Sequence, residues 1–161
     1  MISGDLLFER TRDYDLVRQI MTDPRVWPHI SDDLAPAPTD FRPLECEAVW
    51  YVLVIGAGEV LGLFAFVPQN SVCWEVHTCL DPRAWGATGA RAARELPAWI
   101  WANTPCRRIV TSVPAYNRLA LRFARAAGMQ EFGVNPRSYL KNGELQDQVL
   151  LGLSPEEVTC P

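Results

Sequence analysis

Apolar residues cluster along this chain with two different periods. AVWYVLVI (48–55), VLGLFAFV (60–67) and VCWEVHTCL (72–80) are β-rich runs joined by the short turn-forming stretches 56–59 and 68–71, which predicts an antiparallel meander. Ahead of it, ISGDLLFER (2–10) reads as a first strand, and Thr11, Arg12 and Asp13 introduce a helix that runs to about Met21 and ends at Asp23-Pro24. Residues 24–45 carry Pro24, Pro28, Pro36, Pro38 and Pro43, so a long irregular segment with one short helical turn is expected there. Beyond the meander the period lengthens. A loop over 81–88 leads into a helix from Gly89 to about Ala102, with a kink expected at Pro97. RRIVTSV (107–113) is a buried-strand candidate ended by Pro114, and a second helix spans Tyr116 to Ala127, closed by Gly128 in a left-handed cap. QEFGVNPRSYLK, Asn142-Gly143 and LQDQVLLGL form a final hairpin.

These elements describe one α/β domain over residues 1–161, a size that supports one core. With 48% hydrophobic and 21% charged residues, the composition is that of an ordinary globular chain. A net charge of −4 offers no basic footprint for nucleic acid. No apolar run is long enough to span a membrane, and the N-terminal residues lack the order of a signal peptide, so a cytoplasmic protein is expected. The cysteines, Cys46, Cys73, Cys79, Cys106 and Cys160, are odd in number and form no Cys-x-x-Cys pair. They read as reduced packing residues, with neither a disulfide framework nor a metal site.

Three stretches carry candidate chemistry. Gly56-Ala57-Gly58 followed by Gly62 superficially matches a dinucleotide-binding fingerprint, but that motif needs a helix after the glycines, and LGLFAFV is strand-like. A hairpin turn is the better reading. Arg83-Ala84-Trp85-Gly86-Ala87-Thr88-Gly89-Ala90 is better placed, between a strand and a helix, where unpaired N–H groups can receive an anion. Trp85 within it is expected to be partly exposed and able to stack on a base. In the third stretch, Asn117 to Met129, the positions Ala120, Phe123, Ala124 and Ala127 form a helical stripe, with Arg118, Arg122 and Arg125 pointing elsewhere as a solvated face. Alternation on strand 72–80 puts Glu75, His77 and Cys79 on one face and Trp74, Val76 and Thr78 on the other. A carboxylate raised by burial in a Trp-rich cleft, or an imidazole, can serve as a general base near neutrality, so Glu75 comes first and His77 second. His29, Asp32 and Asp33 read as solvated loop charge, with contact to a cationic substrate as the alternative.

The Asn117 stretch, with Ala120 three residues on and Gly128-Met129 at the helix end, resembles the second cofactor-contacting motif of the GNAT acetyltransferases. The resemblance extends over nearly the whole chain in element order, and its tail and Glu-x-His strand are similar to ribosomal-protein-acetylating and phage-borne members. It implies a GNAT fold: a twisted, mostly antiparallel mixed sheet with one splayed parallel pair, flanked by helices. It also implies acetyl-CoA as cosubstrate, bound by Thr78, Cys79, Leu80, Arg83, Trp85, Gly86, Ala87, Thr88, Gly89, Asn117 and Phe123. The acceptor would be an amine, on a small molecule or a protein, deprotonated by Glu75 or His77 and acylated directly, in a monomer or homodimer. Two positions depart from the pattern. Thr88 stands where a second small residue is usual, and Ala124 where many members place a Tyr that protonates the leaving thiolate; Tyr116 and Tyr139 are available by type but lie elsewhere. These departures motivate an alternative, a non-catalytic module that binds CoA or a protein partner. A longer acyl donor is a third reading.

Overall fold

The computed structural model describes residues 4–158. Cys160 lies outside them. Seven strands form one sheet in the order β1-β2-β3-β4-β5-β7-β6. They are β1 (Leu6–Thr11), β2 (Trp50–Gly56), β3 (Glu59–Pro68), β4 (Cys73–Leu80), β5 (Arg108–Pro114), β6 (Gln130–Lys141) and β7 (Glu144–Leu153). All neighbours are antiparallel except β4 and β5, which run parallel. The expected mixed sheet with a single parallel pair is therefore present.

Strand alternation divides the sheet into two buried faces. Val52, Val54, Phe64, Phe66, Trp74, Val76 and Leu80 pack with Ala92, Ala93, Leu96 and Ile100 of helix α3 (Ala87–Asn103). Tyr51, Leu53, Leu63, Ala65 and Cys79 pack on the other face with Val17 of helix α1 (Tyr14–Met21) and with Val26. Helix α4 (Arg118–Ala126) completes the first face through Leu121 and Ala124, against Val113 and Leu151. A short helix α2 (Trp27–Ile30) is the one helical turn in the proline-rich segment.

Local chemistry explains most boundaries. Asp13 accepts the Leu16 N–H and caps α1. Ala57 and Gly58 both have positive φ, which makes the β2–β3 connection a tight hairpin turn and disposes of the nucleotide-fingerprint reading. Asn142 and Gly143 do the same between β6 and β7. Helix α3 runs on through Pro97, although its ring nitrogen gives the Ala93 carbonyl no hydrogen bond. It begins at Ala87, two residues earlier than expected, because the chain turns at Gly86 (φ +85). Strand β6 is less regular than its sequence suggested: the ladder passes from Asn135 opposite Gln148 to Tyr139 opposite Gln146. Pro136, with no N–H to donate, sits in that bulge, and Asp147 accepts the Arg137 N–H within it at 2.8 Å.

Gly62 is the tightest point of the meander. Its φ is +128, and a side chain there would run into the Cys79 carbonyl and the Leu80 backbone. Gly62→Ala is expected to destabilise the domain by about 2–4 kcal/mol, through strain and overpacking together. The shift in urea midpoint, read beside that of Gly58→Ala where the space is open, checks this.

Candidate functional site

The parallel ladder between β4 and β5 is short. It joins Cys73, Trp74 and Glu75 to Arg108, Ile109 and Val110 and goes no further. Beyond it the strands part, and the Thr111 hydroxyl donates to the Val76 carbonyl at 3.1 Å at the start of the gap. A cavity of about 760 Å³ fills the opening and is lined by residues on both faces of the sheet. Its walls are mostly apolar, from Phe64, Phe66, Val76, Leu80, Leu96, Ile109 and Val113 to Ala90, Ala93, Ala120, Phe123 and Ala124.

On the face that carries α3 and α4, two helix N-termini approach the cavity. Helix α3 starts at Gly86 with no side-chain cap and no acidic residue in its first turn, so its partial positive charge is not offset locally. The two loop glycines serve different purposes. Gly86 has open space around it and is required by its positive φ, whereas a Cβ on Gly89 would lie 2.8 Å from the Ala84 carbonyl oxygen and 3.1 Å from Leu80. At α4, the Asn117 side chain accepts the Ala120 N–H at 3.1 Å. The Asn-to-Ala spacing of the sequence motif is thus an N-cap.

On the opposite face, His29 and Ile30 of α2, Glu75 and His77 of β4, Ser112 of β5, Tyr139 of β6 and Gln148 of β7 line the cavity. Glu75 is half-buried at the last paired position of the ladder, and His77 is exposed two residues on. The Trp85 indole donates to the Leu80 carbonyl at 3.0 Å, and its ring meets His29 edge-on at 5.3 Å between centroids. Trp85 is 49% exposed, as expected for a residue in that loop.

Of the residues singled out from sequence, Glu75, His77, Thr78, Leu80, Trp85, Gly86, Ala87, Asn117 and Phe123 meet in this one cavity. Four others do not line it. Cys79 is fully buried on the α1 side, where burial pushes its thiol up to about 12. The Arg83 guanidinium pairs with Asp81 at 3.1 Å and Glu59 at 3.2 Å. Thr88 and Gly89 are buried in the first turn of α3 rather than in the loop. No Trp-rich cleft surrounds Glu75: Trp74 is in the core with its ring 5.9 Å from Trp50, which also meets Trp99, and Trp85 alone of the tryptophans lines the cavity. The α4 stripe is present, with Leu121 added to it. Its buried positions are Leu121 and Ala124, while Ala120, Phe123 and Ala127 are half-buried and face the opening. Arg122 stands at the cavity and Arg125 pairs with Glu131.

Asp33 is exposed, as its reading as solvated loop charge expects, and it also has a structural task. Its two carboxylate oxygens accept the N–H groups of Asn142 (2.9 Å) and Gly143 (2.7 Å). Its own N–H donates to the Leu140 carbonyl. Lys141 reaches back to the carbonyls of Ser31 (2.6 Å) and Pro28 (3.1 Å). These bonds tie the end of α2 to the β6–β7 turn and form a strap between them. Tyr139 lies just inside, where burial, and then Tyr116, Asp32 and Asp33, push its phenol up to about 12.

No family model and no curated protein matches the chain. Solved structures do. A spermidine N-acetyltransferase chimera of Vibrio cholerae SpeG and hSSAT superposes with a TM-score of 0.77 at 15% identity, covering 96% of this chain and 98% of that one. Spermidine N-acetyltransferase from Vibrio cholerae in complex with CoA and spermine gives 0.69 at 15% identity, covering 94% and 96%. Ribosomal-protein-S5-alanine acetyltransferase from Vibrio fischeri gives 0.70 at 13% identity, covering 96% and 94%. The chain has the fold of the GNAT acetyltransferases.

The strap makes a pH prediction. The hydrogen bonds from Gly143 and Asn142, aided by Lys141, hold the Asp33 carboxyl below its ordinary 3.8. A lowered folded pKa means that the contribution is present above the unfolded value and is lost as pH falls through the folded one. The Asn142 and Gly143 amide resonances should therefore titrate together below pH 3.8. In Asp33→Asn that transition should vanish, while the core resonances stay in place.

Proposed function

We propose that the chain is an N-acetyltransferase that moves an acetyl group from acetyl-CoA to a primary amine. The observation that carries this reading is the gap between β4 and β5, with an uncapped helix N-terminus on one face and Glu75 and His77 on the other. The same fold in a spermidine N-acetyltransferase bound to CoA and spermine supports it.

The residues present fit the cosubstrate. The edge of β4 beyond Glu75 makes no ladder with β5, and unpaired strand groups are suited to amides of an extended chain such as pantetheine. The α3 N-terminus behind Gly86 suits a pyrophosphate. The apolar walls formed by Phe123 and the alanines of α3 and α4 exclude water from the reacting end. Acetyl-CoA supplies an activated thioester carbonyl, and the remaining chemistry falls to the protein and the amine.

Glu75 is the proposed base. An ammonium must lose a proton before its lone pair can attack. Glu75, half-buried at the point where the strands part, can take that proton directly or through one water. The N–C bond forms as the C–S bond breaks, the nitrogen sheds its second proton, and the sulfur takes one up, for a net release of one proton. With Ala124 at the position where the family carries its Tyr, the sulfur would leave as thiolate and take up its proton from bulk solvent, because a thiol of ordinary pKa about 8.5 is mostly protonated near neutrality.

Titration calorimetry with acetyl-CoA tests the cosubstrate assignment. Micromolar binding, about −8 kcal/mol, that is lost in Gly86→Asp supports it; absence of binding to the wild type would leave the alternative of a GNAT-fold partner-binding module. For the base, Glu75→Gln should lower kcat by about 10²–10⁴-fold with acetyl-CoA affinity unchanged. A loss of that size in His77→Asn, with little in Glu75→Gln, would transfer the role to His77.

A further inference from the structure

The acceptor side of the cavity is specific enough to narrow the amine. Among the described residues that line the cavity there is one carboxylate, Glu75, with His29, His77 and Arg122 as the basic side chains. Asp32 and Asp33 lie outside the lining: both oxygens of Asp33 are turned to the β6–β7 turn, Asp32 accepts the Leu34 N–H at 2.9 Å, and the Lys141 ammonium lies against the loop beside them. A substrate with one ammonium finds one counter-charge there. A second or third ammonium on the same molecule would meet apolar or cation-bearing walls and lose hydration without a partner.

The rest of the acceptor surface favours an apolar body. Ile30, the ring of Tyr139 and the His29–Trp85 aromatic pair face the opening beside Glu75. A polypeptide terminus would bring backbone amides to a wall that offers few polar side chains to receive them. Ser112 and Gln148 are the neutral hydrogen-bonding groups on this side other than Tyr139.

Building on the acetyltransferase reading, we propose that the acceptor is a small monoamine with an apolar, ring-sized body, its nitrogen at Glu75 and its body between Ile30 and the aromatic side chains. Polyamines, the substrates named for two of the structural neighbours, are then poor acceptors here.

The test compares three probes on the full chain: phenylethylamine, spermidine and an alanine-initiated tetrapeptide. Thiol release is followed at saturating acetyl-CoA. Binding of each probe to the CoA-loaded protein is measured separately by calorimetry, so that affinity is read independently of turnover. Phenylethylamine should exceed both others in kcat/KM and in affinity by about ten- to hundredfold, the cost of one or two unpaired polar groups. Preference for spermidine or the peptide, or equal use of all three, would overturn the inference and leave the acetyltransferase reading intact. Acetyl-CoA binding with no binding or turnover of any probe would also overturn it. Failure to bind acetyl-CoA at all would instead remove the reading on which it rests.

Discussion

The structure turns on a ladder that stops. Strands β4 and β5 are held together for three residues, Cys73 to Glu75 against Arg108 to Val110, and then separate. A sheet interior that opens in this way leaves backbone donors and acceptors without partners in the middle of a hydrophobic core, which is costly unless something else satisfies them. One of them, the Val76 carbonyl, is met by the Thr111 hydroxyl. The rest of the architecture keeps the gap open without collapse. The α3 face presents the small residues Ala87, Ala90 and Ala93 to the opening before Leu96 and Pro97 close its end, while Ile100 fills the core farther along the helix. Helix α4 is anchored to β5 and β7 by Leu121 and Ala124, so it cannot slide in to fill the space.

The gap also orders the chemistry. One strand, β4, alternates between the two faces. Val76, Thr78 and Leu80 point toward the helices that would receive a phosphate-bearing cosubstrate, and Glu75 and His77 point toward the opposite face. On the proposed reading, a reacting carbonyl held in the opening would be approached from opposite sides by its two partners. The electrostatics divide in the same way. The uncapped α3 terminus favours an anion on one face, and a lone carboxylate favours a cation on the other.

What the sequence made legible is the part governed by local physics. Asn117 and Ala120 are three residues apart because a side-chain oxygen reaches the amide three residues on, and that spacing survives whatever else changes. The paired positive-φ residues Ala57-Gly58 and Asn142-Gly143 fix their hairpins in the same short-range manner. The strand faces followed from alternation alone. What alternation could not say is which neighbour covers each face: Cys79 shares a face with Glu75, yet α1 lies over it and buries it completely. Arg83 looked like an anion ligand by position, but Glu59, on a strand 24 residues earlier, holds its guanidinium.

The strap is the largest feature hidden from the sequence, and the reason is separation. Asp33 and Gly143 are 110 residues apart, and neither lies in a pattern that predicts the other. An aspartate in a proline-rich loop looks like solvated charge until its partner amides are known. Yet the physical logic is the same as at α4: a short polar side chain satisfies consecutive backbone N–H groups, here of a tight turn instead of a helix. The consequence reaches the site. Because both oxygens of Asp33 are turned to the hairpin, its charge sits at the turn and not in the cavity lining, and among the described residues Glu75 is the carboxylate that lines the cavity where the strands divide.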